Sequence, residues 1–94
     1  MANIFIHFKV EDYNKWKPVF ESYGSFRSEY GSKGGKIYRN ADNPNEIFIL
    51  FEWDSVENAR RFAQSDKLKE AMQKAGVMGK PEMNFLGEAV TTSK

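Results

Sequence analysis

Every residue from Ile47 to Phe51 is apolar, inside the stretch Glu46 to Trp53, Glu-Ile-Phe-Ile-Leu-Phe-Glu-Trp. Successive side chains of a strand point to opposite faces, so an unbroken apolar run needs cover on both. The chain's own helices can cover one face, and a second copy of the chain is expected on the other. Asn3 to Val10 reads as the first strand, rich in β-branched and aromatic residues. Asp12 follows as a helix N-cap. Pro18 predicts a short turn over Tyr13 to Trp16, then the main helix with Pro18 in its own first turn. Val19, Phe20, Tyr23, Phe26 and Tyr30 recur at three- and four-residue spacing and form one buried stripe. Gly31 to Gly35 predicts a helix stop and turn.

A short second strand is expected over Lys36 to Asn40, and Ala41 to Asn45 is a turn by composition. Glu46 to Trp53 completes the hairpin. Asp54 or Ser55 caps the next helix, with Glu57 placed to close a capping box from Asp54. Its inner face is Val56, Ala59, Phe62 and Ala63. Ser65 and Asp66 mark a break, and a further helix over Lys67 to Ala75 buries Leu68, Ala71, Met72 and Ala75. Gly76 stops it, Pro81 prevents its resumption, and Glu82 to Val90 is the last strand. Thr91 to Lys94 reads as a mobile tail.

The order strand, helix, strand, strand, helix, strand, with right-handed crossovers, gives an α+β, ferredoxin-like βαββαβ fold. The more apolar first and third strands belong in the middle of the antiparallel sheet, and the charged second and fourth at its edges, in order 4-1-3-2. Parity separates two faces. One holds Ile4, Ile6, Phe8, Val10, Ile37, Arg39, Ile47, Ile49, Phe51, Trp53, Met83 and Phe85, and lies under the helices. The other holds Phe5, His7, Lys9, Tyr38, Phe48, Leu50, Glu52, Asn84 and Leu86. It is apolar at its centre and charged at its rim, as an interface is. Phe5, His7, Tyr38, Phe48, Leu50 and Leu86 are therefore the expected contacts of a homodimer. Lys9 and Glu52 are placed to pair across the central strands.

With 94 residues the chain is a single domain that buries only about 60–65% of its unfolded surface, so pairing with a copy would add stability. A net charge of +1 on scattered basic residues argues against nucleic acid as the main partner. The absence of cysteine excludes disulfides, thiol catalysis and Cys-ligated zinc. No apolar run is long enough for a membrane span, the N-terminus lacks the regions of a signal peptide, and the cytoplasm is the expected location. Eight Phe, four Tyr and two Trp are a heavy aromatic load, for core packing or for a flat-walled cavity.

Asp12-Tyr13, Trp16 to Phe20, Asp42 to Glu46, Glu52-Trp53, Ala59 to Ala63, Glu70 to Met72 and Ala75 to Val77 together resemble an uncharacterised subfamily of small proteins. These are grouped with the antibiotic-biosynthesis-monooxygenase-like dimeric α/β barrels, and members are often labelled "cyclase". The likeness spans Ile4 to Leu86. It implies a homodimer whose two sheets close a barrel, with a cavity between sheet and helices in each subunit. Characterised relatives include cofactor-free monooxygenases acting on polyketide quinols, polyketide cyclases, haem-degrading enzymes and lactone isomerases, and the leading expectation is a small-molecule-binding domain or cofactor-free enzyme of the monooxygenase or cyclase type. The shared fold does not choose among such activities. Haem-degrading relatives carry an iron-ligating histidine on the second helix, and residues 55–75 contain none.

His7, the only histidine, could act as general acid or base, or sit structurally in the dimer face. One histidine and no cysteine leave only oxygen ligands, without EF-hand spacing, so no metal and no cofactor are expected. Gly31 to Lys36 lacks phosphate-loop spacing, and no Gly-x-Ser-x-Gly elbow occurs. Trp53 and Arg39 share the helix-side face, within reach of Trp16, Phe20, Tyr23, Arg27 and Phe62. This set would suit a planar, partly anionic ligand. Equally, the rings could fill the core while both arginines extend to water. A non-enzymatic homodimeric binding or stress-related protein, its cavity filled by its own side chains, is the competing class.

Overall fold

A computed structural model describes residues 2–93; the expectation of a mobile tail reaches Lys94, which lies outside them. The elements are β1 (Ala2–Val10), α1 (Tyr13–Ser22), α2 (Gly24–Glu29), β2 (Ser32–Arg39), β3 (Glu46–Trp53), α3 (Val56–Ala63), α4 (Asp66–Ala75) and β4 (Val77–Leu86). The strands form one antiparallel sheet in the order β2-β3-β1-β4, and the fold is ferredoxin-like. Ile4, Ile6, Val10, Ile47, Ile49, Phe51 and Trp53 are buried on one face of the sheet, as parity requires. Trp16, Ala59, Phe62 and Ala75 close over them from the helices.

Four boundaries differ from the expectation. Pro18 does not open a new helix; α1 runs unbroken from Tyr13 through it. The carbonyl that Pro18 leaves unserved belongs to Asn14, an exposed residue, so the lost bond is tolerated. The break falls at Tyr23 instead (φ −97°, ψ 11°), and there the chain turns into α2. The turn lets Phe26 and Tyr30 pack edge-on against each other and both reach Phe62.

The glycines at 31–35 lie mostly within β2, not in a turn. Gly34 (φ +99°) sits where the β2–β3 register slips, and a Cβ on Gly35 would fall on the backbone oxygen of Leu50 in β3. Glycine here permits close strand approach and a bulge. Finally, β4 begins directly after the left-handed cap Gly76, well before Glu82. Gly79, Lys80 and Pro81 form a bulge between the pairs His7–Glu82 and Lys9–Met78. Proline is compatible with an edge strand at a bulge, because no ladder bond is asked of it. Beyond Leu86 the strand ends, short of Val90.

The breaks between helices are capped. Ser55, not Asp54, caps α3 by accepting from Asn58 N–H, while the Asn58 side-chain amide donates to Asp54; Glu57 closes no capping box. Ser65 accepts from Leu68 N–H at 3.2 Å and donates its hydroxyl to Phe62 O at 2.8 Å, tying α3 to α4. Ser65→Ala should therefore lose about 1 kcal/mol of stability, read from chemical denaturation midpoints, with no change in the slope of the transition. Asn45, in the β2–β3 loop, accepts from Tyr13 N–H at 2.9 Å and so fixes the start of α1 against the hairpin.

The suggested Lys9–Glu52 pair does not exist. Register places Lys9 opposite Glu46 and Glu52 opposite Asn3, at opposite ends of the β1–β3 pairing. Parity put both on one face correctly but carried no information about their separation along it.

Candidate functional site

A run of rings lines the space between helices and sheet. Trp16 packs on Tyr13, Phe8 and Phe20, Phe20 continues to Phe51, Phe51 to Trp53, and Trp53 to Phe62. Its origin is the coincidence of two periodicities: α1 brings Trp16 and Phe20 to one side, and β3 brings Phe51 and Trp53 to the facing side. Two hollows remain. The inner one, about 70 Å³, lies under α1, α2 and α4, with Trp16, Phe20, Tyr23, Arg27 and Phe62 among its walls. The outer one is an open cleft of about 360 Å³ between α2 and the β2–β3 hairpin, walled by Phe20, Arg27, Ser28, Ser32, Gly35 and Phe51, among others.

Arg27 lines both hollows. Its guanidinium lies 3.8 Å from the centre of the Phe20 ring and 5.8 Å from that of Phe51. One nitrogen donates to Phe20 O at 2.8 Å, a carbonyl at the end of α1 that also accepts from Tyr23 N–H. Among the described residues no carboxylate pairs with it. Burial lowers its affinity for the proton, to a pKa of about 10, so it remains a cation at neutral pH. A partly desolvated cation without a counter-ion, flat against a ring, is the arrangement that a planar anion would complete.

Five of the expected pocket residues, Trp16, Phe20, Tyr23, Arg27 and Phe62, are thus brought together. Two are not. Trp53 is 0% exposed, and its indole N–H donates to Tyr30 O at 2.8 Å, so it is core beneath the cavity rather than wall. Arg39, near the end of edge strand β2, turns away to lie 3.8 Å over the Tyr13 ring and to donate to Pro44 O at 3.0 Å. Leu68, Ala71 and Met72 of α4 and Val77, Pro81 and Met83 of β4 also line the inner hollow, and none of them is aromatic or charged. Helical spacing places the first three on the buried face of α4, without marking them as cavity walls.

His7 stands on the opposite face, with the sheet between it and the cavity. Its Nε2 lies 2.6 Å from Glu46 Oε2 and its Nδ1 3.6 Å from Glu82 Oε2, and its ring stacks on Phe48 at 4.4 Å. Asn40 donates to the second oxygen of Glu46 at 3.1 Å. The carboxylate partners come from both neighbouring strands, and only register brings them beside the histidine. Phe5, Phe48, Tyr38, Leu50 and Leu86 share this face; the last three are 52%, 38% and 40% exposed in the single chain.

No protein-family profile matches the chain, and no curated protein matches it significantly by sequence. Solved structures do match. A Bordetella bronchiseptica protein bearing the provisional name antibiotic biosynthesis monooxygenase superposes with a TM-score of 0.77 at 14% identity, over 95% of this chain and 97% of that one. SnoaB, a cofactor-independent oxygenase from Streptomyces nogalater, gives 0.76 at 15% identity, over 99% and 97%. A Caulobacter crescentus protein of the same provisional name gives 0.72 at 16%, over 95% and 90%. In chain order, sheet topology and helix placement, this chain has the fold of the antibiotic-biosynthesis-monooxygenase-like proteins.

Proposed function

We propose that the chain binds a planar, partly anionic small molecule between its helices and its sheet. In this reading it works there as a cofactor-free monooxygenase or cyclase on an aromatic or polyketide-like substrate. The observation that supports this is Arg27, a half-buried guanidinium laid on Phe20 and facing two hollows without a carboxylate partner among the described residues. In such chemistry the substrate's own anion would supply electrons to oxygen or attack a carbonyl carbon. The protein's part would be to hold that anion against a fixed cation and to exclude water. The likeness to a cofactor-independent oxygenase agrees with it. The reading includes a homodimer in which the open sheet face meets its copy, closing a barrel and leaving one cavity per subunit.

Trp16 lines the inner hollow, so tryptophan fluorescence should respond when planar phenols, quinols or quinones are titrated in. Oxygen uptake with the quinols separates an oxygenase from a binder. Arg27→Gln should weaken binding of the ionised ligands by about tenfold or more. The second reading is a non-enzymatic, homodimeric stress-related or binding protein with a filled interior. The small inner volume favours it, and a wild type whose fluorescence answers none of these compounds would select it.

A further inference from the structure

Two hollows of opposite character meet at one cation. The inner one is walled by aliphatic and aromatic groups, Ile6, Leu68, Ala71, Met72 and Met83 among them. The outer one is larger and offers the hydroxyls of Ser28 and Ser32 and the bare backbone of Gly34 and Gly35. Both share Phe20, Arg27, Ile49 and Phe51.

Resting on the binding site proposed above, we infer that its ligand is a single amphiphile. It has a planar head carrying one carboxylate or equivalent anion in the cleft, and a short apolar tail in the inner hollow, with Arg27 at the junction. A guanidinium has five N–H donors, and one is engaged by Phe20 O, which leaves a side of the fork for an anion. The Ser32 hydroxyl accepts from Gly34 N–H at 3.2 Å and keeps its own proton to give. A side chain on Gly35 is barred by the Leu50 backbone, so the cleft wall there stays flat, as a ring requires. The tail is limited by volume: where one water needs roughly 10–15 Å³, about 70 Å³ admits about four or five carbon-sized groups. A polar tail would find no partners among such walls.

The test is a matched set of para-butylbenzoate, benzoate and para-butylbenzyl alcohol, titrated by calorimetry into the full chain. The butylbenzoate should bind at least about tenfold tighter than either truncated compound, the one lacking the tail and the one lacking the charge. Arg27→Gln should remove the preference for the acid over the alcohol. Ala71→Leu, which fills the inner hollow, should remove the preference for the butyl group. Equal affinities across the set for wild-type protein would overturn the inference without any variant having to fold. The two proposals also fail separately. The expected ranking without oxygen uptake or cyclisation of any quinol or polyketide leaves this ligand class standing and removes the catalytic reading. Turnover of quinols with no dependence on charge or tail does the reverse.

Discussion

Trp53→Ala is expected to destabilise the protein by about 3–5 kcal/mol, which for a domain whose total stability is about 5–15 kcal/mol leaves much of it unfolded on modest warming. Trp53 is fully buried, and it touches Phe51 with ring centroids 5.7 Å apart and Phe62 at 4.9 Å. Its N–H also serves Tyr30 O, the carbonyl at the end of α2. Removing the indole therefore opens a void and leaves that acceptor unserved. Trp53→Phe keeps most of the ring and loses only the donor, so it should cost less, about 1–3 kcal/mol. Thermal unfolding followed by circular dichroism orders the two variants. A Trp53→Ala protein as stable as wild type would mean that this ring is not a support for α2 and α3.

The second large effect concerns the open face of the sheet. Phe48→Lys together with Leu50→Lys should abolish self-association, weakening it by about a hundredfold or more, because two cations placed in the centre of an apolar contact lose water and gain no partner. Lys9→Ala, at the exposed rim, should change association little. Sedimentation velocity at micromolar concentration distinguishes the outcomes. If wild-type protein sediments as a monomer there, the barrel assembly is wrong whatever the lysine variant does. If the variant sediments as a dimer alongside wild type, the contact lies on another surface. Far-ultraviolet circular dichroism of the lysine variant should match wild type, since Phe48 and Leu50 are not part of the core beneath the helices.

Strand order and the two faces of the sheet were legible in the sequence because alternation is a local property. Ile47, Ile49, Phe51 and Trp53 announce the buried side of β3 whatever lies around them. The misplaced boundaries all involve residues that punctuate a chain in more than one way. Pro18 reads as a break but is borne within α1. The glycines of β2 read as a turn but permit strand contact, and Pro81 reads as a bar to further helix but lies at a bulge in β4. Local chemistry in these places was outvoted by what the neighbouring strand required.

The site was legible only in outline. Helical spacing on α1 and α2 was enough to bring Phe20, Tyr23 and Arg27 to the interior. It could not foresee that Arg39, though on the correct face, sits close enough to the end of its strand to leave for Tyr13 and Pro44. Nor could it supply the partners of His7, since Glu46 and Glu82 stand 39 and 75 positions further along and only cross-strand register joins them. Aromatic and charged residues drew attention as candidate chemistry, while the aliphatic walls contributed by α4 and β4 passed as ordinary core.

The kink at Gly79, Lys80 and Pro81 also bears on how these molecules keep apart in a crowded solution. An unfolded stretch or a neighbouring molecule that began zipping itself along the outer margin of β4 would meet, midway, a residue with no hydrogen to offer and a local change of pitch. A proline and a bulge on an edge strand oppose such pairing, so the same feature that seats Pro81 beside the inner hollow is of the kind that guards against aggregation.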